Sequence, residues 1–183
     1  VLCGQYQPAL ELLGGLSRDL RKLDDKLSLV EVHLLEAKIL FQLKAMAKAK
    51  ASLTAARTNA NAVYCPPEMM ADLDLVAGWL HAEDGDYTTA ASYFIESMDG
   101  YTLANRDGGA SLRMLMLCKV ITGQPIQTVI DLKSAQPHVK TANSWVNAMK
   151  AIAESVASKS FQLFDAALTP HPPVLQTDLI VLQ

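Results

Sequence analysis

Apolar side chains recur at steps of three and four along most of the chain, the spacing that lines up one face of an α-helix. Leu27, Val30, Leu34, Ala37 and Phe41 share such a face. So do Ala9, Leu12, Leu16, Leu20 and Leu23, and so do Met70, Leu73, Ala77 and Leu80. Strict alternation, the mark of a half-buried strand, is nearly absent. The pattern predicts an all-α chain with helices over about 5–23, 27–43, 46–63, 67–83, 87–104 and 109–121. Shorter helices are expected over about 126–134, 142–156 and 159–168, with a last one from near Pro173.

The punctuation agrees. Residues before proline avoid the α region, so Pro66 and Pro67 end a helix near Tyr64. Pro67 then fits the first turn of the next helix, and Glu68 suits that end of its dipole. Asp86 is placed to cap the helix that follows it. Asp107-Gly108-Gly109 reads as a turn, Gly123 and Pro125 as a break, and His171-Pro172-Pro173 as a stop.

A longer period overlies the helical one. Tyr6-x-x-Ala9-x-x-x-Leu13 recurs as Met46-x-x-Ala49-x-x-x-Leu53 and as Tyr87-x-x-Ala90-x-x-x-Phe94, at spacings of 40 and 41 residues. Ala37 and Gly78 are also 41 apart. Small residues at these points let paired helices approach, and the large residue closing each motif is expected to fill the gap toward the neighbouring repeat. Such a period marks stacked helix pairs. The expected fold is a right-handed α-solenoid of tetratricopeptide-like pairs over 1–104, with longer copies than the usual 34 residues. Beyond Asn105 the pattern weakens, and Phe161-x-x-Phe164-x-x-x-Leu168 is a faint further copy.

Half of the residues are hydrophobic, enough for a continuous core, and the net charge of −3 offers no basis for nucleic-acid binding. No apolar run approaches the roughly 18 residues that span a membrane. Cys3, Cys65 and Cys118 are odd in number and widely spaced, and no Asn-x-Ser/Thr sequon occurs. Together these favour a reducing compartment, cytoplasm or nucleus. A chain that starts at Val1 and ends inside the apolar stretch 174–182 is expected to be part of a longer protein.

Candidate chemistry is sparse. Phosphate-loop, dinucleotide-binding, His-Glu-x-x-His and Gly-x-Ser-x-Gly motifs are all missing, so no catalytic, cofactor-binding or metal-ligating residue is assigned. His33 and Glu36 share a helix face and read as a surface pair, since a metal would need more ligands. Glu83-Asp84-Gly85-Asp86 reads as a helix corner turning on Gly85, not a calcium loop. Cys118 reads as a buried small hydrophobe, and Cys65 as a loop residue without a nucleophile's partners. Trp79 and Trp145 are expected in the core. Two basic groups, Lys44, Lys48, Lys50 and Arg57, and Arg18, Arg21, Lys22 and Lys26, read as solvated faces, with an acidic protein partner as the functional alternative.

Several runs carry a closer resemblance. They are Leu20-Arg-Lys-Leu-Asp-Asp25, the stretch 29–37 (LVEVHLLEA), Ala49-Lys-Ala-Ser-Leu-Thr-Ala-Ala-Arg57 and Asn61-Ala-Val-Tyr-Cys-Pro-Pro67. With Ser92-Tyr-Phe-Ile-Glu96 and the stretch 111–119 (SLRMLMLCK), they resemble the family of 26S proteasome non-ATPase regulatory subunit 11. That family joins a helical solenoid to a winged-helix (PCI) module in the proteasome lid. The resemblance implies a non-catalytic scaffold with no cofactor, partnered by other lid subunits, the ATPase ring and core-particle subunits, in cytoplasm and nucleus. It also implies that 105–183 are further helical repeats leading toward a winged helix outside the chain. Alternatives are a scaffold like subunit 2 of the COP9 signalosome, a tetratricopeptide-type peptide-binding module grouping Lys44, Lys48 and Asn61 on one inner face, and a helical enzyme with an unrecognised site.

Overall fold

The computed structural model describes residues 5–141 and 143–168. They form ten helices and, among the described residues, no strand: α1 (Tyr6–Leu23), α2 (Lys26–Gln42), α3 (Met46–Ala60), α4 (Pro67–Glu83), α5 (Tyr87–Leu103), α6 (Gly109–Ile121), α7 (Gln127–Ile130), α8 (Gln136–Thr141), α9 (Asn143–Ala157) and α10 (Phe161–Leu168). The most extensive packing is between consecutive helices, α4 with α5 and α2 with α3, followed by α5 with α6, and α3 on α4 joins the α2–α3 pair to the α4–α5 pair. This is an α-solenoid. Cys3 and the helix expected from Pro173 lie outside the described residues.

Six of the corners share one construction. Asp24, Lys44, Gly85, Asn105, Gly123 and Lys159 each adopt a left-handed φ, between 51° and 81°. In each case the next residue's N–H reaches back five residues, as Ala45 to the Leu40 carbonyl and Asp86 to the His81 carbonyl. This bond closes the last turn and satisfies carbonyls that the helix end leaves open. The other side of two corners is capped by a carboxylate. Asp25 accepts from the Ser28 N–H and Asp86 from the Thr89 N–H, both at 3.1 Å. The corner between α3 and α4 lacks the left-handed residue, and Pro66 and Pro67 begin α4 instead.

The repeat motif marks the core. Ala37, Ala49, Ala90 and Phe94 are fully buried. Phe94 does more than fill the gap toward the next repeat. Its ring lies on Gly78 of its own pair, where an added Cβ would come within 2.4 Å of Cε1. Phe94 also belongs to the apolar cluster that continues into α6 and α9 through Leu112, Leu115 and Met149. A second cluster joins α2, α3 and α4 through Val30, Leu34, Leu53, Leu73 and Val76. Trp79 touches both and stacks on Phe41 with centroids 5.9 Å apart, while Trp145 is buried.

Three expectations need correction. The helix over 126–134 shrinks to the four residues of α7, and α8 follows it unforeseen, the stretch between them being weakly periodic. On α1, Leu12, Leu16 and Leu23 are exposed, because the helix packs chiefly on α2 with its other flank. In the faint copy, Phe164 packs on the core whereas Phe161 is exposed.

Candidate interaction surface

The first basic group is largely engaged inside the molecule. Lys44 Nζ lies 2.8 Å from Glu83, Lys50 pairs with Asp84, and Arg57 lies 2.6 Å from Asp74. Lys38 adds a fourth contact, 3.0 Å from Asp72. All four cations come from the α2–α3 pair, and all four carboxylates from α4 or its C-terminal cap. The array therefore straps one helix pair to the next. Lys48 is exposed on the first turn of α3.

Asp74 is the inmost member. Its side chain is almost buried, and that burial pushes the carboxyl above its ordinary range against the opposing pull of Arg57. Desolvation of Asp74 thus offsets much of the attraction between the two charges. Arg57 also lies over the Tyr93 ring, 5.0 Å from its centroid, and His81 stacks on the same ring at 5.3 Å. These residues line a groove of about 310 Å³ between α3, α4 and α5, with Lys50, Asp84 and Thr54 at its edge. Asp72 accepts a hydrogen bond from the Tyr101 hydroxyl. Burial, and then Asp72, raise the phenol above its ordinary range.

At the next junction the buried contacts are neutral and an ion pair lies outside them. Ser97 Oγ donates to the Ala71 carbonyl and meets Ser111 Oγ, both at 2.8 Å and fully buried. Arg106, beyond α5, reaches back to Glu68 at the start of α4 with Nε at 2.8 Å. His138 of α8 is buried against the α5–α6 corner, where its Nδ1 accepts from the Gly108 N–H at 3.2 Å.

The second basic group stays on the surface. Lys22 pairs with Asp19 at 3.0 Å and Arg18 donates to the Gly14 carbonyl, while Arg21 is exposed and Lys26 half-buried. His33 and Glu36 do meet, at 3.2 Å, but His33 is buried, so they are not a surface pair as expected. Val32, Leu34 and Ala37 beside it are equally enclosed. Glu83–Asp86 is the expected corner. Cys118 is buried and its thiol is pushed up to about 11 by desolvation, and half-buried Cys65 is raised for the same reason. Lys44 and Lys48 sit at one end of α3 and Asn61 beyond the other, about 20 Å away at 1.5 Å per residue. Among the described residues no three His, Cys, Asp or Glu side chains are grouped to hold a metal, and no helix is long and apolar enough to cross a membrane.

Asp72 and Asp74 were not singled out from sequence, and Glu83 and Asp84 were read only as part of a corner. A signal was present: Lys38 and Asp72, like Lys50 and Asp84, are 34 residues apart, so each charge pair spans successive repeats.

No protein-family model matches the chain. Among curated proteins it is 40% identical over 178 residues to the probable 26S proteasome regulatory subunit rpn6 of Schizosaccharomyces pombe, covering 96% of this chain and 42% of that protein. It is 41% identical to the 26S proteasome non-ATPase regulatory subunit 11 homolog of Arabidopsis thaliana, covering 97% and 42%. It is 43% identical to the 26S proteasome regulatory subunit RPN6 of Saccharomyces cerevisiae, covering 95% and 41%. The chain spans about two fifths of the length of these relatives. With identity near 40% sustained over almost all of its helices, the chain is similar to about two fifths of 26S proteasome non-ATPase regulatory subunit 11 and its rpn6 counterparts.

Proposed function

We propose that the chain is a segment of a non-catalytic scaffold in the lid of the 26S proteasome regulatory particle. In this reading it helps hold that particle on the proteolytic core for ubiquitin-dependent degradation. The observation that carries it is the identity near 40% to proteasome regulatory subunits across nearly every helix. The relatives are named regulatory or non-ATPase subunits, which supports a role without chemistry of its own. The architecture is suited to it. Stacked pairs present a long outer surface while each repeat is braced by its neighbours. The partners would be other lid subunits, the ATPase ring and core-particle subunits, met in cytoplasm and nucleus. Residues 1–104 would supply regular repeats, and 105–183 would lead toward a winged-helix (PCI) module.

The relatives named above are proteasome subunits, not signalosome ones, which favours this branch of the architecture. The test is affinity purification of the tagged full-length protein from its own cells, with mass spectrometry of what accompanies it. Lid, ATPase-ring and core subunits together are expected. Signalosome subunits, or neither complex, would overturn the proposal.

A further inference from the structure

The repeat is interrupted at one place. After α2 and α4 come second helices of 15 and 17 residues, α3 and α5. After α6, Gly123 turns the chain with a φ of 67° and Pro125 follows, and the four-residue α7 stands where the two preceding pairs have a helix of 15 or 17 residues. The missing length leaves an open groove of about 760 Å³ between the α6–α7 corner and α9. That volume lies in the range of natural ligand clefts and takes a few side chains, not a whole helix.

Its chemistry is two-sided. Val120, Ile126, Ile130 and Ala153 give an apolar wall, and Val156 is 43% exposed at the rim. The charged residues of the lining are Lys150, Lys159 and Glu154, two ammonium groups against one carboxylate. The nearby Asp131 lies outside the lining and is hydrogen-bonded to Gln127. The groove is therefore apolar with a net positive lip. Two lysines flanking a carboxylate are too few to track a nucleic-acid backbone.

We infer that this groove receives a short apolar segment carrying carboxylates from another subunit of the assembly. Its apolar side chains would lie on Ile126, Ile130 and Ala153, and its carboxylates would meet Lys150 and Lys159. The inference rests on the scaffold reading. It gives the interrupted repeat a use, because the segment completes the layer that α7 leaves short.

The test uses the full-length protein, tagged, with the photocrosslinker p-benzoylphenylalanine replacing Val156, in particles purified after irradiation. Mass spectrometry of the adduct is expected to identify a segment of a different subunit with acidic residues beside apolar ones. The double variant Lys150→Glu, Lys159→Glu is expected to cut that adduct by about tenfold or more, since like charges then face each other across the interface. Lys150→Gln alone guards against misfolding and is expected to give a smaller drop. An adduct confined to this chain, to a second copy of it or to a basic segment would overturn the inference. So would an adduct indifferent to charge reversal, or incorporation into the particle with no adduct. Failure of the unsubstituted protein to enter the particle would sink the scaffold reading itself, and this inference with it.

Discussion

Gly78 and Phe94 fit each other as socket and plug: a methyl group built on Gly78 would lie 2.4 Å from the Phe94 ring, which is itself fully buried. The ring has nowhere to retreat, because its far side meets the cluster that runs into α6. Gly78→Ala should therefore destabilise by about 1–3 kcal/mol through overpacking, despite alanine's better helix propensity. Urea unfolding followed by circular dichroism reads this directly. Adding Phe94→Leu to Gly78→Ala should recover part of the loss, whereas additive losses would contradict the pairing.

The Arg57–Asp74 pair should respond asymmetrically. Arg57→Met leaves the Asp74 carboxylate nearly buried without its partner and should cost about 1–3 kcal/mol, reduced from a fully buried pair because Arg57 is partly solvated. Asp74→Asn should cost less, since the remaining guanidinium can reach water. Because the folded Asp74 carboxyl already sits above its ordinary range, its ionised form works against folding at neutral pH. That penalty falls as pH drops through the folded value and the group protonates. The Arg57→Met defect should accordingly shrink on acidification, as unfolding curves at neutral and mildly acidic pH would show.

The carboxylate caps predict the opposite pH trend. Hydrogen bonds from Ser28 hold Asp25 below its ordinary value, and those from Thr89 hold Asp86 below its own. A depressed folded value means that stability is present above the unfolded pKa near 4 and is lost as pH falls through the folded one. Asp25→Asn and Asp86→Asn should both lower the melting temperature at pH 7 and converge on the parent protein as pH falls through the depressed folded values. A constant offset across that range would show that the ionised caps are not involved.

The fold was legible to the degree that side-chain size and spacing encode it. The Ala49 and Ala90 motif found the helix-pair contacts, and Pro66-Pro67 found the start of α4 within a residue. Corners were less visible. Gly85 and Gly123 announce a left-handed residue, but Asp24, Lys44, Asn105 and Lys159 adopt the same conformation without glycine. There the backbone bonds of the helix end, not the residue type, set the turn. The basic face on α3 was read correctly in composition and incorrectly in its engagement, because its counter-charges sit on a different helix. Helical spacing reports which residues share a face and is silent about what the neighbouring repeat brings to it.

The thiols should separate by accessibility. Cys118 is buried among Met114, Leu115 and Ile126, and its thiol is pushed up to about 11, so little thiolate forms at pH 8. Cys65 is half-buried, and burial raises its thiol too, but it keeps a path to solvent. Brief iodoacetamide treatment of the folded protein, mapped by mass spectrometry, should label Cys65 well before Cys118. Equal rates in the folded state, rather than only in urea, would contradict the placement of α6.

The most direct test of the scaffold claim is a segment exchange. Residues 1–183 would replace the matching segment of the budding-yeast subunit RPN6, to which the chain is 43% identical. Native gels stained for peptidase activity would then report whether the regulatory particle sits on the core. The account predicts that the chimera enters 26S particles and supports their assembly. A soluble, helical chimera that stays outside the particle and leaves free core particles would contradict it.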